Sequence, residues 1–447
     1  MKTLTTLAFA FGIISFVSAQ LPKGDRILAY QVDPAENMNY DNDFALAKDA
    51  CMESIHFSSN WSDYDSTSGN FDVTYIANFL DIINVYMPAN GTKVELQIAP
   101  VNTNVLELPA DLMSTTFDDP ILINRFKTLL DTVFMHIPDL ELSALNIGNE
   151  SDIYFGTDAN LYNEFGVFLD SVVPHAKQLY FNIHGEELKV GTTLTFNGLT
   201  DPLTASLCAP LNTNRDIVAV TYYPLESNFH MKPTSVVSAD FDTLVSLYPD
   251  VSQPIYFVEC GYASSAVCSS SEAQQADFFT EVFSAWDDHY DNIKYLTIFK
   301  TTDWSQADIQ IFEQYYGISD PAFLEYLRTL GVRTWAGDGT DKLAFDRIKC
   351  ELNDRNWCAV PCSASINESE PEVAGCVLYP SPGETLVNMD VSGNIEHIEV
   401  ITLDGKNVEV QANFSQKTVN VSNWQKGIYL FRIKTENGWF QAKFEKF

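Results

Sequence analysis

Short apolar runs alternate with longer amphipathic stretches along most of the chain, from Arg26 to about Leu330. A strand buried on both faces of a parallel sheet shows continuous rather than alternating hydrophobicity, so these runs predict parallel strands. The eight predicted strands are residues 27–31, 54–58, 93–99, 142–148, 189–194, 217–222, 254–258 and 294–299. The stretches between them have apolar residues at helical spacing. The predicted helices are residues 43–51, 73–86, 120–136, 159–179, 234–247, 271–289 and 321–330.

This alternation is typical of a (β/α)8 barrel, a fold of about 250 residues. We therefore predict an α/β class barrel over residues 20–352, completed by a helical stretch at 343–352. A doubly wound sheet would carry a glycine-rich phosphate turn after its first strand. Here residues 32–36 read Val-Asp-Pro-Ala-Glu, which cannot cradle a dinucleotide, and no cofactor is predicted. The connection between residues 194 and 217 has little helical pattern and is predicted to be mostly loop.

The pattern changes after the barrel. Residues 353–375 are rich in Cys, Pro, Ser and Glu, which predicts a linker. Residues 376–447 show short alternating strands, and Asp404-Gly405 and Asn437-Gly438 each follow such a run as a hairpin signal. We predict that this part forms a small all-β sandwich domain.

The N-terminus has the features of a secretory signal. Lys2 precedes an apolar stretch at residues 7–17 that is too short to span a membrane, and small residues end at Ala19. We expect residues 1–19 to be removed, and no membrane-spanning segment is predicted in the rest of the chain. The protein is thus expected to be secreted or at the cell surface.

The charge restricts the partners. With 26 Lys and Arg against 60 Asp and Glu, the formal net charge is −34. Nucleic acids, anionic membranes and acidic polymers would be repelled, so a neutral substrate is favoured. Acidity also promotes solubility, and that alone can explain the charge without any ligand.

The cysteines predict disulfides, because their number is even and they follow a signal peptide. The eight are Cys51, Cys208, Cys260, Cys268, Cys350, Cys358, Cys362 and Cys376. Cys260 and Cys268 flank a Gly- and Ser-containing loop, and we predict a disulfide between them. A zinc site at the last four cysteines is an alternative, although their spacing fits no standard finger.

Two predicted strands end in a carboxylate. Residues 145–150 finish at Glu150, and the run 255–260 contains Glu259 next to its end. Barrel enzymes place catalytic groups at the carboxyl ends of their strands, and glycosidic bond cleavage requires a pair of carboxyl groups. The alternative is that each glutamate is an ordinary charge facing solvent at a strand end. We favour a paired-carboxylate enzyme.

Neighbouring polar residues supply candidate contacts to a sugar. Asn149 could bond the hydroxyl next to the anomeric carbon, or simply cap the following turn. Tyr222 or Tyr223 could donate to Glu259, and strand alternation allows only one of them to point inward. Asn102, and with it Asn104, could bond hydroxyl groups.

Aromatic residues near the predicted strand ends are candidate sugar platforms. Trp61 follows the second strand and Trp304 the eighth, and either could stack on a pyranose or pack within a loop. His184 and His230 are expected to lie at the surface or to support the site from outside.

The C-terminal part resembles a type A sorting domain of the type IX secretion system, which Bacteroidetes use to export proteins across the outer membrane. The matching segments are residues 378–382 (LYPSP), 403–406 (LDGK), 426–430 (KGIYL) and the terminal Lys446. The resemblance implies the type IX secretion machinery as a partner. A carbohydrate-binding or immunoglobulin-like sandwich is the alternative.

The barrel resembles the clan A retaining glycoside hydrolases, whose acid/base glutamate follows an asparagine at the end of strand four and whose nucleophile ends strand seven. Glu150 and Glu259 occupy those positions. Residues 220–224 and 338–344 resemble the endo-galactanase family. Many clan members have an arginine on strand two, but the segment 54–58 has none and instead carries His56.

The resemblance implies a secreted glycoside hydrolase that cleaves a β-linked poly- or oligosaccharide with retention of configuration. In such enzymes the two carboxyl groups lie roughly 5 Å apart. The alternative is a catalytically inactive barrel that acts as a carbohydrate-binding surface protein, which would not need both glutamates.

Overall fold

The structure is a computed structural model that describes residues 23–360, 362 and 376–446, except 38, 68, 380–382, 392, 403–405, 407, 409, 436 and 437. The predicted signal peptide, most of the predicted linker and the turn residues Asp404-Gly405 and Asn437 lie outside the described residues. The chain divides into two compact units, Met1–Ser363 and Ala364–Phe447.

The first unit contains one sheet of ten strands. They are β1 (Ile27–Tyr30), β2 (Ser54–Asn60), β3 (Lys93–Asn102), β4 (Val105–Leu106), β5 (Leu142–Asn149), β6 (Val190–Gly191), β7 (Thr193–Thr195), β8 (Val218–Tyr222), β9 (Ile255–Cys260) and β10 (Ile293–Ile298). The order is β6-β5-β3-β2-β1-β10-β9-β8-β7, all parallel, and β4 pairs antiparallel with the end of β3. Only Thr192 separates β6, which pairs with β5, from β7, which pairs with β8. Together they fill one position and nearly close the barrel, which confirms the predicted fold class.

Helices alternate with the barrel strands. They are α1 (Tyr40–Asp49), α2 (Trp61–Tyr64), α3 (Val73–Ala89), α4 (Pro120–His136), α5 (Ser151–Phe155), α6 (Ala159–His184), α7 (Phe196–Thr200), α8 (Ala205–Asn212), α9 (Val237–Leu247), α10 (Glu272–Asp288), α11 (Gln306–Tyr316), α12 (Pro321–Arg328) and α13 (Leu343–Asp354). The connection after β7 thus contains two short helices rather than only loop. Among the described helices, none has the length and apolar character needed to cross a membrane.

Aspartate caps fix the starts of several long helices. The side chains of Asp72, Asp119, Asp158 and Asp320 accept backbone N–H groups in the first turns of α3, α4, α6 and α12. Each cap satisfies donors that the helix itself leaves unpaired. The helices therefore begin at defined residues, and their apolar faces pack on the outside of the barrel.

The inside of the barrel has an apolar and a polar part. Ala29, Ala144, Ala219, Val258 and Tyr295 belong to a small apolar cluster built from alternate strand positions, separate from the large core under the helices. A polar network lies beside it. Thr193 Oγ1 on β7 donates to Gln97 Oε1 on β3 at 2.8 Å, and Gln97 Nε2 donates to Ser58 Oγ at 2.8 Å.

The second unit consists of antiparallel strands. They are β11 (Cys376–Tyr379), β12 (Leu386–Val391), β13 (Ile395–Thr402), β14 (Gln411–Asn413), β15 (Thr418–Asn420), β16 (Gly427–Thr435) and β17 (Gly438–Lys446). They form a four-stranded sheet, β11-β12-β15-β14, and a three-stranded sheet, β13-β16-β17. Val387, Val400, Val419, Phe431 and Phe444 form the centre of its core. The predicted all-β character of this part is confirmed, and its strands form two small antiparallel sheets.

The disulfides differ from the predicted one. Cys51 pairs with Cys358, and Cys350 pairs with Cys362, with Cα–Cα distances of 6.1 and 4.6 Å. Cys260 and Cys268 are free, buried thiols, so the predicted bond between them is wrong. Cys260 packs in the core under the helices, whereas the Cys268 thiol donates to Ala322 O at 3.4 Å. The zinc alternative is wrong as well, because three of its four cysteines are in disulfides.

Two glycines allow a matched test of packing in the barrel. A Cβ on Gly191 would lie 2.7 Å from Asn146 Oδ1 and 2.8 Å from Ile217 Cγ1. We expect Gly191→Ala to lower the free energy of unfolding by about 1–3 kcal/mol, because the barrel interior is already filled. Gly166 in α6 has only Leu211 Cδ2 nearby, at 3.8 Å, so Gly166→Ala is expected to raise stability by about 0.4–1 kcal/mol. Urea unfolding of both variants measures this, and equal effects would contradict it.

Candidate functional site

The two predicted glutamates lie at the carboxyl ends of barrel strands. Glu150 follows β5 directly, and Glu259 is the penultimate residue of β9. Glu150 adopts a left-handed conformation (φ 46°, ψ 38°) between β5 and α5. Such a conformation is uncommon for a residue other than glycine and is often found at functional sites. It turns the chain sharply at the barrel mouth.

Two threonines hold the Glu150 carboxylate. Thr103 Oγ1 donates to Oε2 at 2.9 Å, and Thr221 Oγ1 donates to Oε1 at 2.7 Å. Burial raises the pKa of Glu150, and the two hydroxyl hydrogen bonds oppose that rise. The net effect favours a protonated carboxyl group at higher pH than for an ordinary glutamate.

Glu259 is only 8% exposed. Tyr223 Oη donates to its Oε2 at 2.6 Å. Burial, followed by the charge of Glu150, raises the pKa of Glu259 to about 7, while His56 and the Tyr223 hydrogen bond act in the opposite direction. The repulsion between the two carboxylates is itself a sign that they share one site.

One short segment of β8 and its end contacts both glutamates. Thr221 lies beside Glu259 in the parallel register and donates to Glu150, while Tyr223 donates to Glu259. The two carboxyl groups are therefore brought together by strands β5, β8 and β9.

His56 and Glu95 form a buried pair next to Glu259. They are register partners on β2 and β3, and His56 Nδ1 is hydrogen-bonded to Glu95 Oε2. His56 Nε2 lies 3.9 Å from Glu259 Oε1. Burial lowers the pKa of His56, but the charge of Glu95, its hydrogen bond and the charge of Glu259 outweigh burial, so the pKa is raised.

Three asparagines form a chain of side-chain hydrogen bonds along the ends of β5, β3 and β2. Asn149 Nδ2 donates to Asn102 Oδ1, and Asn102 Nδ2 donates to Asn60 Oδ1, each at 3.0 Å. Asn149 Oδ1 is buried and has no hydrogen-bond partner among the described residues. A buried acceptor is costly when unpaired, so it is a candidate for a ligand hydroxyl.

Two of the predicted contact residues point away from the site. Tyr222 is buried and its Oη donates to Asp240 Oδ2 in α9 at 2.8 Å, so the alternation of the strand turns it toward the helix layer. Trp61 has no exposed surface and packs edge-to-face on Phe126 of α4. Of the two tyrosines, Tyr223 is therefore the one that faces Glu259, as the alternation allowed, and the rings of Tyr222 and Trp61 belong to the core rather than to the barrel mouth.

Trp304 lies half-buried after β10. Lys300 Nζ lies 2.7 Å from the centroid of its ring, and Phe312 of α11 packs against its edge. Lys300 is fully buried, and its Nζ lies 3.0 Å from Asp33 Oδ2. Lysine and phenylalanine thus fix the orientation of the indole.

The remaining predicted residues lie outside this cluster. Asn104 is exposed and donates to Tyr316 O at 3.1 Å. His230 Nδ1 is hydrogen-bonded to Ser269 Oγ at 2.9 Å. His184 stacks on Tyr180 at the end of α6.

Sequence reasoning missed several residues at the site. Burial raises the pKa of Tyr316 on α11 and of Tyr326 on α12, and the charges of both glutamates add to each effect. These phenols therefore lie near the glutamates. Glu95 was detectable as an acidic residue within the predicted strand 93–99, whereas Thr103 and Thr221 carried no sequence signal.

The barrel has the fold of known glycoside hydrolases. A GH5_18 protein from Bifidobacterium longum subsp. longum has a TM-score of 0.56 at 14% identity, with 75% of this chain and 81% of that chain covered. A GH5_18 variant from Streptomyces cattleya, in complex with Manb1-4GlcNAc, gives 0.54 at 13% identity, covering 75% and 82%. The exo-beta-1,4-mannosidase Op5Man5 from Opitutaceae bacterium strain TAV5 gives 0.52 at 14%, covering 74% and 60%.

These structures are similar in fold, and none of the three is described as an endo-galactanase, so that closer resemblance is not confirmed. No curated protein sequence matches the chain. Residues 377–445 match the family model described as the secretion system C-terminal sorting domain. The C-terminal part of the chain is therefore such a sorting domain, which implies the type IX secretion machinery as its partner and secretion to the cell surface or extracellular space.

Proposed function

We propose that the protein is a secreted glycoside hydrolase that cleaves β-linked poly- or oligosaccharides with retention of configuration. The observation that carries this proposal is the pair of glutamates from β5 and β9, each hydrogen-bonded by the same segment of β8. A glycosidic bond requires such a pair, one carboxyl group to protonate the leaving oxygen and one carboxylate to attack. The glycoside hydrolase fold of the barrel supports it.

Glu150 is assigned as the general acid/base and Glu259 as the nucleophile. Two buried carboxyl groups that repel each other titrate as a pair. When the first proton is lost, one negative charge and one proton are shared by the two groups. The imidazole of His56 and the phenol of Tyr223 both favour that charge on Glu259. The hydroxyl groups around Glu150 can donate to a carboxylate or accept from a carboxylic acid. The remaining proton therefore belongs on Glu150.

The reaction then takes two steps. Glu259 attacks the anomeric carbon as the glycosidic bond breaks, and Glu150 gives its proton to the departing oxygen. Glu150, now a carboxylate, takes a proton from water, whose oxygen attacks the anomeric carbon and releases Glu259. Each step inverts the anomeric carbon, so the product keeps the configuration of the substrate.

The surrounding residues define candidate contacts. Asn149 Oδ1 is available to accept from a sugar hydroxyl, and Asn102 fixes the Asn149 amide. Trp304 offers the face of its ring that Lys300 does not cover. Neutral sugars fit best, because a carboxylate on the substrate would be repelled by the glutamate pair. The β linkage is in line with the mannosidase and Manb1-4GlcNAc complex among the similar structures.

We expect Glu150→Gln and Glu259→Gln each to lower hydrolysis by about 10²–10⁴-fold or more, because each removes an acid/base or covalent group. Release of reducing sugar from a panel of plant, algal and microbial polysaccharides measures this. Tyr222→Phe is the matched control, since it loses a buried hydrogen bond outside the site. Activity of either glutamine variant within about tenfold of wild type would overturn the assignment. Binding without cleavage by the wild type would instead favour the inactive carbohydrate-binding barrel.

The stereochemistry gives an independent test. If the carboxyl groups lie roughly 5 Å apart, no water fits between Glu259 and the sugar, and the first product keeps the anomeric configuration. Proton NMR during the first minutes of hydrolysis detects the initial anomer before mutarotation. An inverted first product would remove the nucleophile role of Glu259, even if the protein is a glycosidase.

If the C-terminal domain serves for sorting, the barrel should fold without it, whereas export should require it. A chain that ends before Cys376 should retain the folded barrel and its hydrolytic activity but remain inside the cell, because the described barrel core lies wholly before that residue. Immunoblotting of cell and medium fractions, with circular dichroism of the purified barrel, checks both parts. Normal amounts of truncated protein in the medium would contradict the sorting role.

A further inference from the structure

Next to the nucleophile lie Glu95, a buried carboxylate with no role in the reaction as described above, and His56, which enters that reaction only through its effect on the charge of Glu259. Resting on the proposed function, we infer that Glu95 and His56 are a positioning pair, in which Glu95 keeps the imidazole protonated and His56 directs a positively charged Nε2–H toward Glu259. Neither residue contacts the sugar. The pair acts through Glu259 by keeping its carboxylate charged and correctly oriented.

The register of strands β2 and β3 places the side chains of His56 and Glu95 next to each other. His56 and Glu95 are direct partners on adjacent parallel strands, so their side chains leave the sheet on the same side. Both are almost wholly buried, and the hydrogen bond to Glu95 Oε2 occupies the Nδ1 atom of the His56 ring. The opposite nitrogen, Nε2, lies 3.9 Å from Glu259 Oε1, which is an ionic contact rather than a hydrogen bond.

Glu95 is itself held in place. Asn146 Nδ2 donates to Glu95 Oε1 at 2.6 Å, so each carboxylate oxygen has its own partner. Asn146 comes from β5, and Gly191 of β6 leaves the space that its amide occupies. A carboxylate buried to this degree is costly unless it is paired, and His56 is the cationic partner within reach.

The charges that face His56 come from several elements. Glu95 on β3, Glu259 on β9 and Asp33 after β1 all favour its protonated form. Lys300 after β10 pairs with Asp33, and Glu150 and Tyr223 border Glu259 on the far side. The imidazole is therefore surrounded mainly by negative charge. Its positive charge offsets part of the repulsion between the two catalytic carboxylates.

The test compares Glu95→Gln with Asp65→Asn, a matched control. Asp65 is also a fully buried carboxylate, but it pairs with Arg125, away from the site. In Glu95→Gln the imidazole loses its proton, and Glu259 loses a neighbouring cation and becomes harder to ionise. The acidic limb of the kcat/KM profile should then move to higher pH by about one unit, a tenfold loss on that limb. Asp65→Asn should lower the thermal midpoint without moving the limb.

A readout without substrate separates this inference from the proposed function. Nitrogen-15 NMR of His56 should show both ring nitrogens protonated at pH 7 in the wild type and a neutral ring in Glu95→Gln. A neutral His56 in the wild type overturns the inference whether or not the protein hydrolyses glycans. If Glu95→Gln is active and the acidic limb of its kcat/KM profile does not move, the inference is also overturned, but the proposed hydrolase function is not. If the wild type hydrolyses no glycan but its His56 is protonated, the hydrolase proposal is rejected and the inference about the Glu95–His56 pair still holds.

Discussion

Repulsion between two buried carboxylates governs the arrangement of the barrel mouth. Strands β5 and β9 bring Glu150 and Glu259 to the same edge, where burial raises the pKa of each and the charge of Glu150 raises the pKa of Glu259 further. Like charges in a site of low polarity cannot both ionise readily. The groups around them are distributed unequally, with hydroxyl groups at Glu150 and a phenol and an imidazole at Glu259. In the proposed mechanism, that asymmetry keeps the proton on Glu150 and the negative charge on Glu259.

The electrostatics of the glutamate pair also involve polar side chains inside the barrel. Most small barrels fill their interior with apolar side chains. Here two groups of hydrogen-bonded polar side chains lie beside a small apolar cluster: Glu95 with His56 and Asn146, and Gln97 with Thr193 and Ser58. A buried polar network is stable only when its members are paired. These hydrogen bonds restrain His56, which faces Glu259, and the bonded residues lie on β2, β3, β5 and β7.

The sequence predicted the barrel strands well because buried parallel strands have a strong apolar signal, and both glutamates followed from strand ends. It could not predict contacts that depend on register or on the face of a strand. Tyr222 and Tyr223 are adjacent aromatic residues, and only the alternation of the folded strand separates the core residue from the one that contacts Glu259. Helix α11 was missed because Ile309 is its one buried residue, which leaves almost no periodic apolar pattern. The cysteine pairing depended on long-range contacts that spacing does not encode.

The disulfide between Cys51 and Cys358 has a mechanical consequence. It joins the residues after α1 to those after α13, a separation of 307 residues, and encloses strands β2 to β10 in one covalent loop. Cys350 and Cys362 add a smaller loop at the end of α13. Tension applied along the chain from the C-terminal side reaches Cys358 from Cys362, either along the chain or through the bond to Cys350, and Cys358 passes it to Cys51. The strands that bear Glu150 and Glu259 lie inside the larger loop, so a pull on the exported chain bypasses them.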